Sequence, residues 1–431
     1  MEATFTTTGA LIGLALAILL IIKKVHPAYS LILGALVGGL IGGGDLVTIV
    51  NTMVLGAQGM MSSILRILTS GILAGALIKT GSAEKIAESI IKKLGQQRAI
   101  TALAIATMII CAVGVFIDIA VITVAPIALA IGKKANLSKS SILLAMIGGG
   151  KAGNIISPNP NTIAASEAFK VDLTSLMVQN IIPAIAALVV TIILAKIVSK
   201  KNNDISYDSE EQVGSDLPAF LPAISGPLVV ICLLALRPLF GITIDPLIAL
   251  PLGGLISILA TGYLKETVPF VEYGLSKVVG VSILLIGTGT LSGIIKASNL
   301  QFDMIHLLEF LNMPTFILAP LSGIFMGAAT ASTTSGTTIA SQTFAETLIK
   351  SGVPAVSGAA MIHAGATVLD SLPHGSFFHA TGGAVNMAIK DRMKLISYEA
   401  LIGLTSTIVA VVYYCFFGEN LDEYVMFIIT V

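Results

Sequence analysis

The stretch "GGGKAGNIISPNPNTIAAS" (148–166) lies between long apolar runs, yet it holds three asparagines, two prolines, four glycines and a lysine. Its surroundings decide what it can be. Of the 431 residues 55% are hydrophobic and 11% charged, and the mean hydropathy is +0.95. Soluble domains carry about 25% charged residues, so the composition predicts an integral membrane protein, multi-pass, with the lipid bilayer as its first partner. In lipid every backbone N–H and C=O must be satisfied, and irregular backbone survives at membrane depth only inside protein or beside a water-filled cavity. A stretch this polar between two spans therefore reads as a broken helix lining a cavity. Glycines 148–150 let the chain leave the helix, Pro158 and Pro160 keep it from resuming at once, and Thr162 is the expected start of the next half.

A span needs about 20 mostly apolar residues. Expected helices fall near 8–22, 28–43, 60–79, 138–170 with the break, and 176–198. A second set falls near 218–238, 245–262, 275–297, 355–390 with a break, and 396–417. Ala10–Ile22 has no basic segment before it and Lys23-Lys24 after it, so it reads as a first span rather than a signal peptide. Basic residues mark the cytoplasmic side. Lys23-Lys24, the Lys79–Arg98 group, Lys133, Lys134 and Lys139, Lys196–Lys201, Lys265 and Lys390-Arg392-Lys394 would all lie inside, with the acidic "GENLDEYV" (418–425) outside. The sides alternate only if 98–134 and 314–349 enter and return as re-entrant hairpins, from opposite faces. "SAEKIAESIIKKLGQQ" (82–97) is amphipathic and too polar to span, so it is expected to lie in the interface; "FDMIHLLEFLNM" (302–313) is its counterpart. "SKKNNDISYDSEEQVGSD" (199–216) reads as a cytoplasmic linker. The net charge of zero and the scatter of the lysines exclude a basic face for nucleic acid. Cys111, Cys232 and Cys415, unpaired in apolar runs, read as small buried hydrophobes.

Shifting the chain by about 215–219 residues aligns "HPAYSLILGALVGGL" (26–40) with "DPLIALPLGGLISIL" (245–259), "SGILAGALIKTG" (70–81) with "GTLSGIIKASN" (289–299), "KANLSKSSILLAM" (134–146) with "KSGVPAVSGAAMI" (350–362), and "ISPNPNT" (156–162) with "DSLPHGS" (370–376). Two copies with about five crossings each must be inverted. The expected fold is therefore an all-α polytopic membrane protein. A first inverted repeat spans 1–198: scaffold helices 1–79, interfacial helix 82–97, hairpin 98–134, broken helix 138–170 and helix 176–198. A linker covers 199–217. The second repeat spans 218–431: scaffold helices 218–297, interfacial helix 302–313, hairpin 314–349, broken helix 355–390 and helix 396–417. Inverted repeats with broken helices near the midplane belong to secondary transporters.

Each half thus has two polar breaks: "AVGVFIDIAVIT" (112–123) and the stretch 148–166 in the first, "GAATASTTSGTTIAS" (327–341) and "HAGATVLDSLPHGSFFHATGG" (363–383) in the second. The N–H end of a half-helix suits a carboxylate, and hydroxyl and amide side chains suit an oxygen-rich ligand. Candidate substrate-binding residues are Lys151, Asn154, Ser157, Asn159, Asn161 and Thr162; Ser332, Thr333, Thr334, Ser335 and Thr337; and Ser371, His374 and Ser376. Charged groups inside spans default to function. Lys151 meets a substrate carboxylate, or else snorkels or pairs with an Asp. Asp118, His374, Asp370 and His363 are candidate proton carriers; for Asp118 and Asp370 the competing reading is a structural cap, and for the histidines a structural place in the core. His26 and His306 read as interfacial. Gly38-Gly39 and Gly42–Gly44 read as close packing and a turn.

Two stretches, "SGAAMIHAGATVLDSLPHGSFFHATGGAVNM" (357–387) and "GGGKAGNIISPNPNTIAASEAF" (148–169), resemble the gluconate permease (GntP) family of the ion-transporter superfamily, and within it the branch for hydroxy acids such as 3-hydroxybutyrate. The resemblance covers nearly the whole chain. It implies a proton-coupled importer of small hydroxy-monocarboxylates in the bacterial inner membrane, a scaffold that forms a homodimer, a mobile part holding the hairpins, and no cofactor or metal. Sodium-coupled members of the superfamily carry Ser-Asn-Thr at both hairpin tips. Here the tips read Phe116-Ile117-Asp118 and Ser332-Thr333-Thr334, which favours protons and leaves a sodium-coupled carboxylate carrier as the alternative. An intramembrane enzyme built on Ser371, His363 and His374 would not need two matching gates, and a passive channel would not need titratable groups at both broken sites.

Overall fold

The computed structural model describes residues 4–95, 98–201, 217–300, 314–373 and 375–417, together with Asp303, His306 and Phe310. The described residues are helical throughout, with one isolated bridge between Phe5 and Ser298 and no strand. In chain order the helices are α1 (Thr7–Ile22), α2 (Pro27–Ile41), α3 (Leu46–Gln58), α4 (Met61–Lys79), α5 (Ser82–Leu94), α6 (Ala99–Ala112), α7 (Ile117–Lys134), α8 (Lys139–Asn154), α9 (Pro160–Phe169), α10 (Leu173–Gln179) and α11 (Ile181–Lys201). They continue with α12 (Phe220–Phe240), α13 (Pro246–Ala260), α14 (Thr267–Lys296), α15 (Leu318–Thr330), α16 (Thr333–Lys350), α17 (Ala355–Ala366), α18 (Ser376–Ala384) and α19 (Ile389–Phe417). By length and composition, segments 61–79, 181–200, 264–296 and 389–417 can each cross a membrane.

The expected breaks are present. Helices α6 and α7 fold back on each other across Val113–Phe116, and α15 and α16 across Ala331-Ser332. The helix over 138–170 is interrupted between Asn154 and Pro160, and that over 355–390 between Ala366 and Ser376. The amphipathic segment forms α5, which lays Ile86, Ala87 and Ile91 onto its neighbours. On its outer side Glu88 accepts from Lys85 and Lys92 at 2.9 and 2.5 Å, and these two ammonium groups hold its carboxyl below the usual carboxylate range. The counterpart 302–313 and most of the linker 199–217 lie outside the described residues, apart from Asp303, His306 and Phe310, which are helical.

Three readings need correction. Glycines 148–150 do not end the helix: α8 runs on to Asn154 with all of them inside it. Their role is close approach. A Cβ on Gly149 would stand 2.1 Å from the Ala104 carbonyl oxygen, one on Gly153 2.1 Å from that of Met108, and one on Gly148 2.3 Å from Thr191 Oγ1. Small residues that let backbones touch are how helices associate where lipid removes the hydrophobic incentive. Second, α3 was not expected as a helix, because Thr48, Asn51, Thr52 and Gln58 dilute its apolar pattern. It is held by Gly56, whose Cβ position lies 2.2 Å from the Gly289 carbonyl of α14. Third, Cys232 and Cys415 are exposed rather than buried; only Cys111 is inside, and all three are free thiols.

Contacts among α1, α2, α4 and α14 follow the same glycine logic. Gly71 and Gly75 of α4 meet Gly274 of α14, and Gly9 and Gly13 of α1 meet Gly42, Gly38 and Gly34 around α2. Helices α4 and α14 lie side by side and flank the polar breaks, α4 touching α9 and α14 touching α16.

Candidate functional site

The first break is closed by its own asparagines. Asn159 is the N-cap of α9; its Oδ1 accepts from the backbone N–H of Asn161 at 2.9 Å and of Thr162 at 3.1 Å. Its amide donates to the Asn154 carbonyl at 2.8 Å and to Asn154 Oδ1 at 2.5 Å. Asn161 donates to the same Oδ1 at 3.1 Å, and Asn180 donates to the Ile155 carbonyl at 3.0 Å. Pro160 follows the cap at the first helical position, where its missing N–H costs nothing. It starts the second half rather than delaying it, and the half begins at 160, not at Thr162.

The second break is held from elsewhere. Lys151, buried in α8, donates to the Thr367 carbonyl at 2.6 Å and pairs with Asp370 at 2.7 Å, both groups almost wholly shielded. Asp370 also accepts from Thr333 Oγ1 at 2.6 Å and from Ser371 Oγ at 3.0 Å. One carboxylate thus joins the two broken helices to the tip of the α15–α16 hairpin. Behind it a second buried pair, Arg392 with Glu399, stacks on Phe378, the guanidinium 4.9 Å from the ring centroid, and the Glu399 carbonyl accepts from Lys151 at 3.4 Å. Asp370 does not cap α18; Gly375 occupies that N-cap with no side-chain hydrogen bond.

All four breaks meet at one cavity of about 330 Å³. Its wall includes Phe116–Ile119 from the first hairpin, Ala331–Ser335 from the second, Asn154 and Asn161 from the first broken helix, and Asp370, Ser376 and Phe377 from the second. The starts of α7, α9, α16 and α18 therefore face a common space. Ser332 caps α16, its hydroxyl accepting from Ser335 N–H at 3.2 Å, whereas α7 and α18 begin at Phe116 and Gly375 with no side-chain cap. The remaining wall is His26 and Pro27 at the start of α2 and Lys277, Gly280, Val281 and Leu284 of α14. Asn154 Nδ2 and Asn161 Oδ1, on residues of this wall, have no protein partner among the described residues.

Of the expected site residues, Asn154, Asn161, Ser332, Thr333, Thr334, Ser335, Ser376, Asp118 and Asp370 line the cavity. Lys151, Ser157, Asn159, Thr162, Thr337, Ser371 and His363 do not. The Lys151 ammonium is committed to Asp370 and Thr367, Asn159 to capping, and His363 is buried with neither ring nitrogen bonded. His374 lies outside the described residues. His26, read as interfacial, is on the cavity wall, its Nδ1 accepting from Ala28 N–H at 3.3 Å.

Sequence reasoning missed Lys277. It falls two residues inside the helix expected from 275 and was not singled out, whereas α14 starts at Thr267. Ten residues at 1.5 Å per residue put Lys277 about 15 Å along the helix. The missed signal was a lysine directly before the long uncharged run "VVGVSILLIGTGTLSGII" (278–295). Among the described residues Lys277 has no acidic partner in an ion pair; its ammonium stands 4.8 Å from the Tyr273 ring centroid.

Comparison with known proteins places this arrangement. Residues 5–416 match the family model described as GntP family permease. An uncharacterized transporter of Haemophilus influenzae is 56% identical over 409 residues, covering 94% of this chain and 97% of that one. A gluconate permease of Pseudomonas aeruginosa is 22% identical over 75% of this chain and 78% of its own length. Among solved structures, that of the Alcanivorax borkumensis YdaH transporter superposes with a TM-score of 0.65 at 13% identity, covering 87% of this chain and 90% of that chain, a likeness of fold.

Proposed function

The chain belongs to the GntP permease family and is a multi-pass membrane transporter rather than an enzyme; from that premise we propose that it imports a small hydroxy-carboxylate, such as 3-hydroxybutyrate or gluconate, by alternating access coupled to protons. The observation that carries this reading is the convergence of four helix starts and Lys277 on one cavity. Helix N-termini bear partial positive charge and free N–H groups. Asp118 occupies N–H groups of the α7 start; the start of α18 has no side-chain cap, and Lys277 supplies a full charge. Together they suit a carboxylate. Ser332, Thr334, Ser335 and Ser376, with the spare amide atoms of Asn154 and Asn161, suit hydroxyls.

In this reading 1–198 and 218–431 are inverted repeats. The hairpins and broken helices form the moving part, and α1–α4 with α12–α14 the scaffold. Lys23-Lys24 place the start of α2 in the cytoplasm, so the cavity beside His26 opens inward. Asp118 is the coupling group. It is the carboxylate on the cavity wall without an ion pair, whereas Asp370 is tied to Lys151. Lys151 acts as a cross-tie that holds the two broken helices in register.

Counterflow in proteoliposomes tests the function. Vesicles loaded with unlabelled hydroxy acid should accumulate the labelled acid transiently and chemically unchanged. A channel gives no such overshoot, and an enzyme alters the acid. Asp118→Asn should keep counterflow but lose uptake driven by a proton gradient; unchanged pH dependence in that variant would remove Asp118 from the coupling.

A further inference from the structure

A second cavity of about 380 Å³ lies at the other end of α9. This ten-residue helix starts beside the substrate cavity at Asn161 and ends beside the second one at Ser166 and Glu167. There Arg66 of α4 makes three charge-assisted bonds. Its Nε and Nη2 grip the two oxygens of Asp245 at 2.9 and 2.6 Å, and its Nη1 reaches Glu167 at 2.6 Å and also Ser62 Oγ. A fork-shaped guanidinium holding a carboxylate at two points is among the strongest and most directional of such contacts. The side chains are only partly exposed, 22% for Arg66 and 26% for Glu167, so water screens them incompletely.

The two acids stand on different elements. Asp245 caps α13, accepting from Leu247 N–H at 2.8 Å, and α13 packs on α4 through Gly254 against the Ile72 carbonyl. Arg66 and Asp245 are thus fixed to one another. Glu167 belongs to the broken helix. The Arg66–Glu167 bond is where the broken helix is fastened to α4 and α13 at the end remote from the substrate.

We infer that Arg66 is a positioning residue for transport: by holding Glu167 it keeps α9 against α4 and α13, closes the external route to the substrate cavity, and sets the balance between inward- and outward-open states. This rests on the alternating-access reading above. Opening outward requires Glu167 to leave Arg66, which keeps Asp245 as its partner throughout.

The test reads accessibility without any substrate. In a chain whose Cys111, Cys232 and Cys415 are replaced by alanine, Ser166→Cys reports on the second cavity, where Ser166 is buried. It is labelled from outside with a membrane-impermeant maleimide. Arg66→Gln and Glu167→Gln should each raise the labelling rate about tenfold, as expected when a tie is lost and the populations shift. The exchanged pair Arg66→Glu with Glu167→Arg, made together with Asp245→Asn because an acid at position 66 would otherwise face the Asp245 carboxylate, rebuilds the tie and should return the rate to the parent value. An unchanged rate in both single variants overturns the inference, as does a rate raised equally in the exchanged pair. If Arg66→Gln does not elute as a folded protein, Glu167→Gln and the exchanged pair decide. Unchanged labelling with counterflow intact would reject the tie alone; raised labelling with no counterflow of any hydroxy acid would keep the tie and reject the substrate.

Discussion

The two broken helices answer one structural problem in different ways. Between α8 and α9 the free backbone groups are bonded locally: Asn159 caps the new helix and ties back to Asn154, and Asn180 takes the Ile155 carbonyl. Between α17 and α18 the break depends on distant residues. Lys151 takes the Thr367 carbonyl and Asp370, Thr333 binds Asp370, and the new helix starts at Gly375 with no side-chain cap. A break closed by asparagines leaves a ligand the spare amide atoms of Asn154 and Asn161. A break held from outside leaves its helix start without a side-chain cap, beside a cavity that Lys277 also lines. In the proposed transporter the first break would serve mainly architecture and the second recognition of the anion.

Removing the outside support should have the largest effect. Lys151→Met strands the Asp370 carboxylate among buried groups, and breaking a buried pair in this way costs about 3–5 kcal/mol. Thermal unfolding in detergent should show a large loss, and Lys151→Met combined with Asp370→Leu should recover much of it. A single variant as stable as the parent would mean that the second break does not need Lys151. The self-closed break should lose less. Asn159→Ala removes a cap worth about 1 kcal/mol and should lower stability by that order with little change in ligand affinity. A larger effect on affinity than on stability would reverse the assignment of the two breaks.

Much of this was legible in the sequence because it is written in local signals. Asn-Pro-Asn after an apolar run, a Ser/Thr-rich tip and an aspartate in an apolar hairpin are each visible within a few residues. They led to Asn154, Asn161, Ser332–Ser335, Asp118, Asp370 and Ser376 on the cavity wall. What stayed hidden depends on partners distant in the chain. The Lys151–Asp370 pair joins the two halves, so pairing with an Asp was open as a reading of Lys151 but the partner, and the choice against substrate, were not legible. Glycines 148–150 looked like a helix stop because only the carbonyls of α6 and the Thr191 side chain of α11 reveal them as contact points. Lys277 was passed over and His26 read as interfacial because helix length and cavity position, rather than residue type, bring them to the cavity wall.

The central claim is that the carboxylate binds where the uncapped α18 start and Lys277 face each other's cavity. Equilibrium binding of 3-hydroxybutyrate or gluconate to purified Lys277→Gln, beside the parent protein, tests it most directly. The account predicts an affinity weaker by about tenfold to a hundredfold, the loss expected for one charge-assisted bond of about 1.5–3 kcal/mol, with thermal stability unchanged and partial rescue in Lys277→Arg. An affinity equal to that of the parent would contradict it.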